Sequence, residues 1–306
     1  MIRLTSSDIG LALLALGLSA CSVRRLAVDG LAESLGESAK TFAREDDPEL
    51  VREAMPFALK AIEAVLIASP ENEGLLASAS AAFGLYAYAF LQCDAERLES
   101  SDYARAEVLR ARALALYLRA RDYGLRGLEL HHAGIGELLS TDPTAAAAKL
   151  EREDLELAYW SGGTWGLAIS LGKDDPALVA DVDAVRALLR RCVELDESYQ
   201  EGALHEALIP IEGLPRAMGG SSEKARQHFE RALALSGGRR ASLFLKLAEN
   251  LSVPAQDREE FERLVRQALA IDLEAAPDQR LSNRISQARA RLLLEKIDEL
   301  FLPPLD

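Results

Sequence analysis

Arg191-Cys192-Val193-Glu194-Leu195-Asp196, Arg231-Ala232-Leu233-Ala234-Leu235-Ser236 and Gln267-Ala268-Leu269-Ala270-Ile271-Asp272 are three versions of one pattern, in which a small residue precedes an apolar pair and a polar stop. They stand 40 and 36 residues apart. Each closes an amphipathic stretch whose apolar residues recur three and four apart, so each reads as the C-terminal end of a helix. A pair of helices with its connections fills a period of that size. Stacking such pairs buries the faces that a single pair leaves open.

Upstream, Ala61 to Pro70 followed by a helix from Glu71 to Cys93 reads as an earlier pair. Composition agrees, because Ala, Leu, Glu and Arg dominate, β-branched residues are sparse and 49 % of residues are hydrophobic. The expected fold is all-α, a right-handed α-solenoid of tetratricopeptide-like helical hairpins. Helix starts are expected at Asp47-Pro48, Asp175-Pro176 and Ser221. Stops are expected at Ser69-Pro70, Gly162-Gly163, Gly219-Gly220 and Gly237-Gly238, which leaves helices of about 14 to 22 residues with short connections. No Pro/Ser/Gly-rich linker divides the chain, so residues 48–306 read as one helical domain. Ahead of it, residues 26–44 carry Leu31, Leu35, Ala39 and Phe42 on one stripe and read as a leading helix packed on the first pair.

The N-terminus has its own signature. Arg3, an apolar run from Ile9 to Leu18 and the small residues Ser19-Ala20 match a secretory signal over residues 1–20, too short to span a bilayer. Leu18-Ser19-Ala20-Cys21 resembles the bacterial lipobox, in which Cys21 is lipidated and becomes the first mature residue. Residues 21–47 then form a lipidated N-terminus and the leading helix, anchored to the membrane without spanning it. Ser22 in place of Asp favours the outer membrane of a Gram-negative bacterium.

Net charge is −14, from 35 Lys+Arg against 49 Asp+Glu, and loss of Arg3 and Asp8 leaves it unchanged. A polyanion needs a basic face, so nucleic acid and anionic lipid are excluded as partners. Cys93 and Cys192 lie among apolar helical residues and read as buried free thiols. Catalytic patterns are missing. His205-Glu206 has Ile209 where a zincin needs its second histidine, and Gly134-Ile135-Gly136 follows no strand. His131-His132 reads as a solvated helix end, and Gly219-Gly220-Ser221 as a turn with an N-cap. The expectation is no catalytic residue, no metal and no cofactor.

Aromatic residues suggest a ligand. Phe83, Tyr86 and Phe90 share one helical stripe, with Tyr88 beside it, and read as core. Tyr159-Trp160 and Trp165 stand among Gly162, Gly163 and Gly166, where flat rings meet backbone that permits close approach. These three aromatics are candidates for a pocket wall.

Several segments then acquire a common meaning. Ala158-Tyr159-Trp160 to Trp165-Gly166, Ser170-Leu171-Gly172-Lys173-Asp174-Asp175-Pro176, Leu195-Asp196-Glu197-Ser198-Tyr199 with Gly202-Ala203-Leu204-His205-Glu206, Met218-Gly219-Gly220-Ser221, Val253-Pro254-Ala255-Gln256-Asp257-Arg258 and Arg280-Leu281-Ser282-Asn283-Arg284 resemble the T-component (TatT) family of tripartite ATP-independent periplasmic (TRAP) transporters. The likeness covers nearly the whole mature chain. It implies a periplasmic lipoprotein of tetratricopeptide-like hairpins, a homotrimer, and a partner in the solute-binding protein, or P component. It also implies a small hydrophobic or organic-acid ligand. Phe244-Leu245-Lys246-Leu247 departs from the Tyr-rich stretch that the family leads one to expect.

The candidate ligand-binding residues are therefore Tyr159, Trp160 and Trp165, with His205 on the same surface and Arg216, Lys224 and Asn283 for contacts to a carboxylate. The competing readings are a tetratricopeptide lipoprotein that scaffolds outer-membrane or envelope assembly, and a secreted hydrolase acting through His205 or Glu206.

Overall fold

A computed structural model describes residues 40–303, and every regular element among them is helical. The expected signal peptide over residues 1–20, the expected lipidation at Cys21 and the expected leading stripe before Lys40 lie outside the described residues. In chain order the helices are α1 (Pro48–Ala68), α2 (Glu73–Leu98), α3 (Tyr103–His131), α4 (Ile135–Thr141), α5 (Pro143–Ala148), α6 (Leu155–Leu171) and α7 (Pro176–Ala180). There follow α8 (Val182–Asp196), α9 (Ala203–Glu212), α10 (Ser222–Ser236), α11 (Ala241–Leu247), α12 (Arg258–Leu269), α13 (Arg280–Glu295) and α14 (Ile297–Leu300).

Local chemistry explains the boundaries. Asp47 and Asp175 accept hydrogen bonds from the first free backbone N–H groups of α1 and α7, each with proline at the first helical position. Ser221 accepts from Lys224 N to begin α10, and Gly237, at φ 59°, ends it. The three repeated segments end α8, α10 and, a few residues early, α12. They thus mark alternate helices. Helix lengths range more widely than expected, from four residues in α14 to 29 in α3.

One expected stop is overturned. Gly162 and Gly163 lie inside α6, which runs unbroken to Leu171. Gly162 is a packing residue, since a Cβ there would press on Leu189 at 3.2 Å. Small residues likewise bring α3 onto α6. A Cβ on Gly124 would collide with Ser161 Oγ and crowd the Leu157 carbonyl, and one on Gly127 would strike the Leu157 side chain. Gly84 of α2 is just as tight against Thr164. Interior packing at crystal-like density overrides the low helix propensity of glycine here.

Neighbouring helices alternate in direction. Contacts of Gly127 with Leu157 and of Gly172 with Leu114 make α3 and α6 antiparallel. Gly202 against Ala232, with Glu212 O accepting from Ser221 N, does the same for α9 and α10. α9 and α11 are parallel: Glu206 of α9 meets Arg240 at the start of α11, and Gly213 meets Asn250 beyond its end. α2 is apolar enough to resemble a membrane span because α1, α3 and α6 enclose it.

The chain then returns on itself. α13 packs on α11 and α12 and also touches α1, while Arg44 pairs with Asp278 and Arg284 with Asp46. α13 thus neighbours α1, near the other end of the described chain.

Two glycines of α6 and α3 test this packing. Gly163→Ala, with open space around its Cβ, should raise stability by about 0.5–1 kcal/mol through helix propensity. Gly124→Ala should lower it by about 1–2 kcal/mol through overpacking. Urea denaturation of both variants reads the two signs.

Candidate functional site

Two hydrophobic cores build the molecule. One extends from Val51 to Ile211, the other from Ile209 to Phe301, and α9 contributes to both through Leu208 and Ile211 on one side and Ile209 on the other. Charged side chains collect along the seam between them.

Arg289 of α13 forks across this seam. Its Nε and Nη2 donate to Glu96 of α2 at 2.7 and 3.1 Å, and its Nη1 and Nη2 donate to Glu249, just beyond α11, at 2.6 Å each. The network continues inward. Gln92 Nε2 donates to Glu96 Oε1 at 3.1 Å, and the Tyr117 hydroxyl, fully buried on α3, donates to Gln92 Oε1 at 2.7 Å. Lys296 Nζ donates to the Glu96 carbonyl at 2.7 Å.

Two wide helical turns frame this network. The backbone N–H of Cys93 bonds to Tyr88 O and that of Val253 to Ala248 O, i→i+5 spacings in Ala87–Gln92 and Ala248–Ser252. Such π-type turns are rare and concentrate at functional sites. One carries Tyr88 and Gln92, the other Glu249.

The second half of the seam centres on Glu206. Its Oε2 accepts from Arg240 Nε at 2.7 Å, and its Oε1 lies 3.1 Å from Lys246 Nζ. Tyr159 lies within the field of both Glu206 and Arg240, and its ring packs edge-on against Trp160 and Tyr199, with centroids at 4.9 and 5.4 Å. The loop beneath is strained. Gln200, Glu201 and Gly202 all have positive φ, and Arg240 Nη1 holds the Gln200 carbonyl at 3.0 Å. Left-handed non-glycine residues persist only where their surroundings enforce them.

Electrostatics separates the three carboxylates. Burial pushes Glu206 up, but Arg240 and Lys246 outweigh it and hold the group at about 2. Burial also pushes Glu96 up, and Arg289 brings it below the usual carboxylate range. For Glu249 burial prevails over Arg289, and its carboxyl lies above that range. Burial likewise raises Tyr159 to about 12. Yet the side chains of Arg289, Glu249 and Glu96 retain 13 %, 22 % and 24 % of their accessible surface. These groups are desolvated and still touched by solvent at the seam.

The residues singled out by sequence do not come together at one place. Tyr159 and Trp160 meet, whereas Trp165 faces another way, with Arg121 over its ring and its Nε1 donating to Asp181 at 3.1 Å. Asn283 is buried and caps α11: its Oδ1 accepts from Ala241 N and its Nδ2 donates to Arg239 O, both at 2.9 Å. Arg216 and Lys224 are exposed. The seam residues Arg240, Lys246, Glu249 and Arg289 were missed. Their signal was a charge set among apolar helical neighbours, and Lys246 occupies the very stretch that departs from the family pattern. Cys93 and Cys192 are buried free thiols, pushed up by that burial to about 12.

All four histidines are paired. His205 Nδ1 of α9 faces His228 Nδ1 of α10 at 2.8 Å, and Glu197 Oε2 lies 3.4 Å from the other His205 nitrogen. His131 and His132 are not simply solvated: both bond to the buried Asp154, at 2.9 and 2.8 Å, and His131 also reaches Glu73 at 3.0 Å. Burial lowers His205, and it lowers His228 to about 4, while Asp154 and Glu73 raise His131.

Residues 44–301 match the family described as TAtT, TRAP transporter T-component. The chain belongs to this family. An uncharacterised protein of Treponema pallidum (strain Nichols) is 31 % identical over 301 residues, which cover 92 % of this chain and 93 % of the relative. Membership gives this T-component an accessory role in TRAP transport, in association with other subunits of such a transporter. It suggests a periplasmic or membrane-associated location, and the family is one of non-catalytic transport subunits.

Two measurements probe the site. Arg289→Met strands two enclosed carboxylates and should cost about 3–5 kcal/mol in chemical denaturation. Adding Glu96→Gln and Glu249→Gln should recover part of that loss. For His228, whose pKa is lower folded than unfolded, the stabilising contribution is complete above the unfolded value and is lost as pH falls toward about 4. His228→Gln should flatten the acid limb of stability against pH between about 6.5 and 4, read by thermal melts across that range.

Proposed function

We propose that this T-component is a periplasmic lipoprotein that binds the solute-binding protein of a TRAP transporter and holds a small hydrophobic or organic-acid ligand at the seam. Lipidated Cys21 anchors it to the outer membrane, and the protein works as a homotrimer. Its helical pairs are tetratricopeptide-like, a reading supported by the repeated ends on alternate helices and by the parallel course of α9 and α11.

The observation that carries the ligand reading is the meeting of aromatic and cationic groups: Tyr159 packs on Trp160 and Tyr199 and lies in the field of Arg240, which shares Glu206 with Lys246. Arg240, Lys246, Arg289 and Lys296 bring cations to the seam beside Glu96, Glu206 and Glu249. Lys246 is the most open of the cations, with 32 % of its side chain exposed. A ligand carboxylate pairs with it while the apolar part of the ligand lies on the aromatic rings. In this reading Tyr159 and Trp160 touch the ligand. Lys246 and Arg240 take the polar contacts that sequence assigned to Arg216, Lys224 and Asn283, and Trp165 and His205 position α6 and α9 behind these groups.

Native mass spectrometry of the chain from Ser22 onward, alone and with a TRAP solute-binding protein encoded beside it, tests the proposal. The expected result is a trimer that takes up the binding protein and retains a small mass, with Lys246→Met reducing the retained mass and leaving the trimer intact. A monomer that ignores the binding protein would overturn it and favour the envelope-scaffold reading.

A further inference from the structure

α3 presents one long face to solvent. Ala104, Val108, Ala111 and Ala115 are exposed along it and Leu118 is half-buried, at alternate spacings of four and three. That is the period of a helix-pairing seam, and its small residues permit a close approach. Small residues alone select no partner. The charge beside them does: Arg105, Arg112, Arg119 and Arg126 stand seven residues apart on one side of the seam, all four exposed, over about 32 Å of helix. In a chain of net charge −14, α3 carries six arginines against Glu107, Asp122 and Glu129. Half of the row is already held. Arg119 reaches Glu63 at 3.3 Å and lies over the Phe83 ring, while Arg126 donates to the Pro70 carbonyl at 3.1 Å and lies over Tyr123. The side chains of Arg105 and Arg112 have no hydrogen bond or ion pair among the described residues.

We propose that this face docks an acidic amphipathic helix of another TRAP subunit, with the apolar side of that helix on Ala104, Val108, Ala111 and Ala115 and its carboxylates opposite Arg105 and Arg112. Family membership supplies the association with other subunits. Charge and spacing supply the chemistry of the one that fits here. A strict seven-residue repeat favours a helix over an extended segment, because seam and arginines then meet the partner together once in every two turns. Guanidinium groups pair with carboxylates through two parallel hydrogen bonds, so the row also fixes the register of the docked helix.

Other occupants fit less well. A second copy of the same face, lying antiparallel, sets one arginine row beside the other. The exposed carboxylates of that face, Glu107 and Asp122, are already engaged by Arg110 and Arg121 and leave the rows unopposed. An anionic bilayer meets the same two carboxylates and an acidic body behind them.

The test is site-specific photocrosslinking of the full-length protein in cells that also express the TRAP genes encoded beside it. Val108→p-benzoylphenylalanine and Ala115→p-benzoylphenylalanine should each link to a TRAP subunit, at an acidic segment located by peptide mass mapping. Arg291→p-benzoylphenylalanine, exposed on α13, should not. Arg105→Glu with Arg112→Glu should cut the link about tenfold or more, whereas Arg105→Lys with Arg112→Lys should keep most of it. An unchanged melting temperature in both pairs separates lost docking from lost folding. Links within the chain, to a second copy or to phospholipid would overturn the proposal, as would no link at either position or a link indifferent to the charge reversal. A link to the solute-binding protein would support this docking and the reading above together, and a link to a different TRAP subunit would support the docking alone.

Discussion

Arg289 is the constraint on which the two halves of this molecule depend, because one guanidinium binds carboxylates that the chain delivers from opposite ends. Glu96 is 193 residues before it and Glu249 is 40. Four charge-assisted hydrogen bonds leave little freedom in how α13 meets α2 and the end of α11. Taking one cation and two carboxylates out of bulk water is unfavourable, and their mutual attraction offsets that cost only with geometry of this quality. A hydrophobic joint would hold the cores together with less desolvation. It would hold them with less definition of register, since apolar packing is not directional.

The same constraint makes the seam suitable for a ligand. Arg289 is saturated by its two partners, so its charge is already neutralised, and Lys246 is left sharing Glu206 with Arg240. A fixed neutral brace and a more open cation nearby are different roles for similar residues. The wide turns at Ala87–Gln92 and Ala248–Ser252 are part of this arrangement. The first inserts a residue into α2 without ending it and the second closes α11, and they place Tyr88 and Glu249 at the seam.

Much of the architecture was legible in the sequence because it is written in local signals. Asp-Pro starts and Ser221 needed only their own neighbours to be recognised, and the three repeated ends reported the helix-pair period. Gly162-Gly163 misled, because glycine at a tight crossing looks the same in sequence as glycine at a stop; the difference is Leu189, supplied by another helix. Aromatics marked one side of the candidate site. The charged side was hidden: Glu96, Glu249 and Arg289 are each an ordinary helical charge until the fold closes and brings α13 back to α2. Asn283 shows the converse, a residue noticed for ligand contact whose amide is spent on capping α11.

α9 joins these levels. His205 points to α10 and its neighbour Glu206 points to α11, so consecutive residues on one helix serve different interfaces. The His205–His228 contact holds at most one proton between its facing nitrogens, and a second proton sets two imidazolium groups against each other at the α9–α10 crossing. Arg190, Lys224 and Arg231 bring positive charge near that contact, with Arg190 paired to Glu212 and Arg231 to Glu197. Any displacement of α9 from that side carries Glu206 with it and alters the hold on Arg240 and Lys246. The hold on Arg240 and Lys246 therefore shares one short helix with the histidine pair.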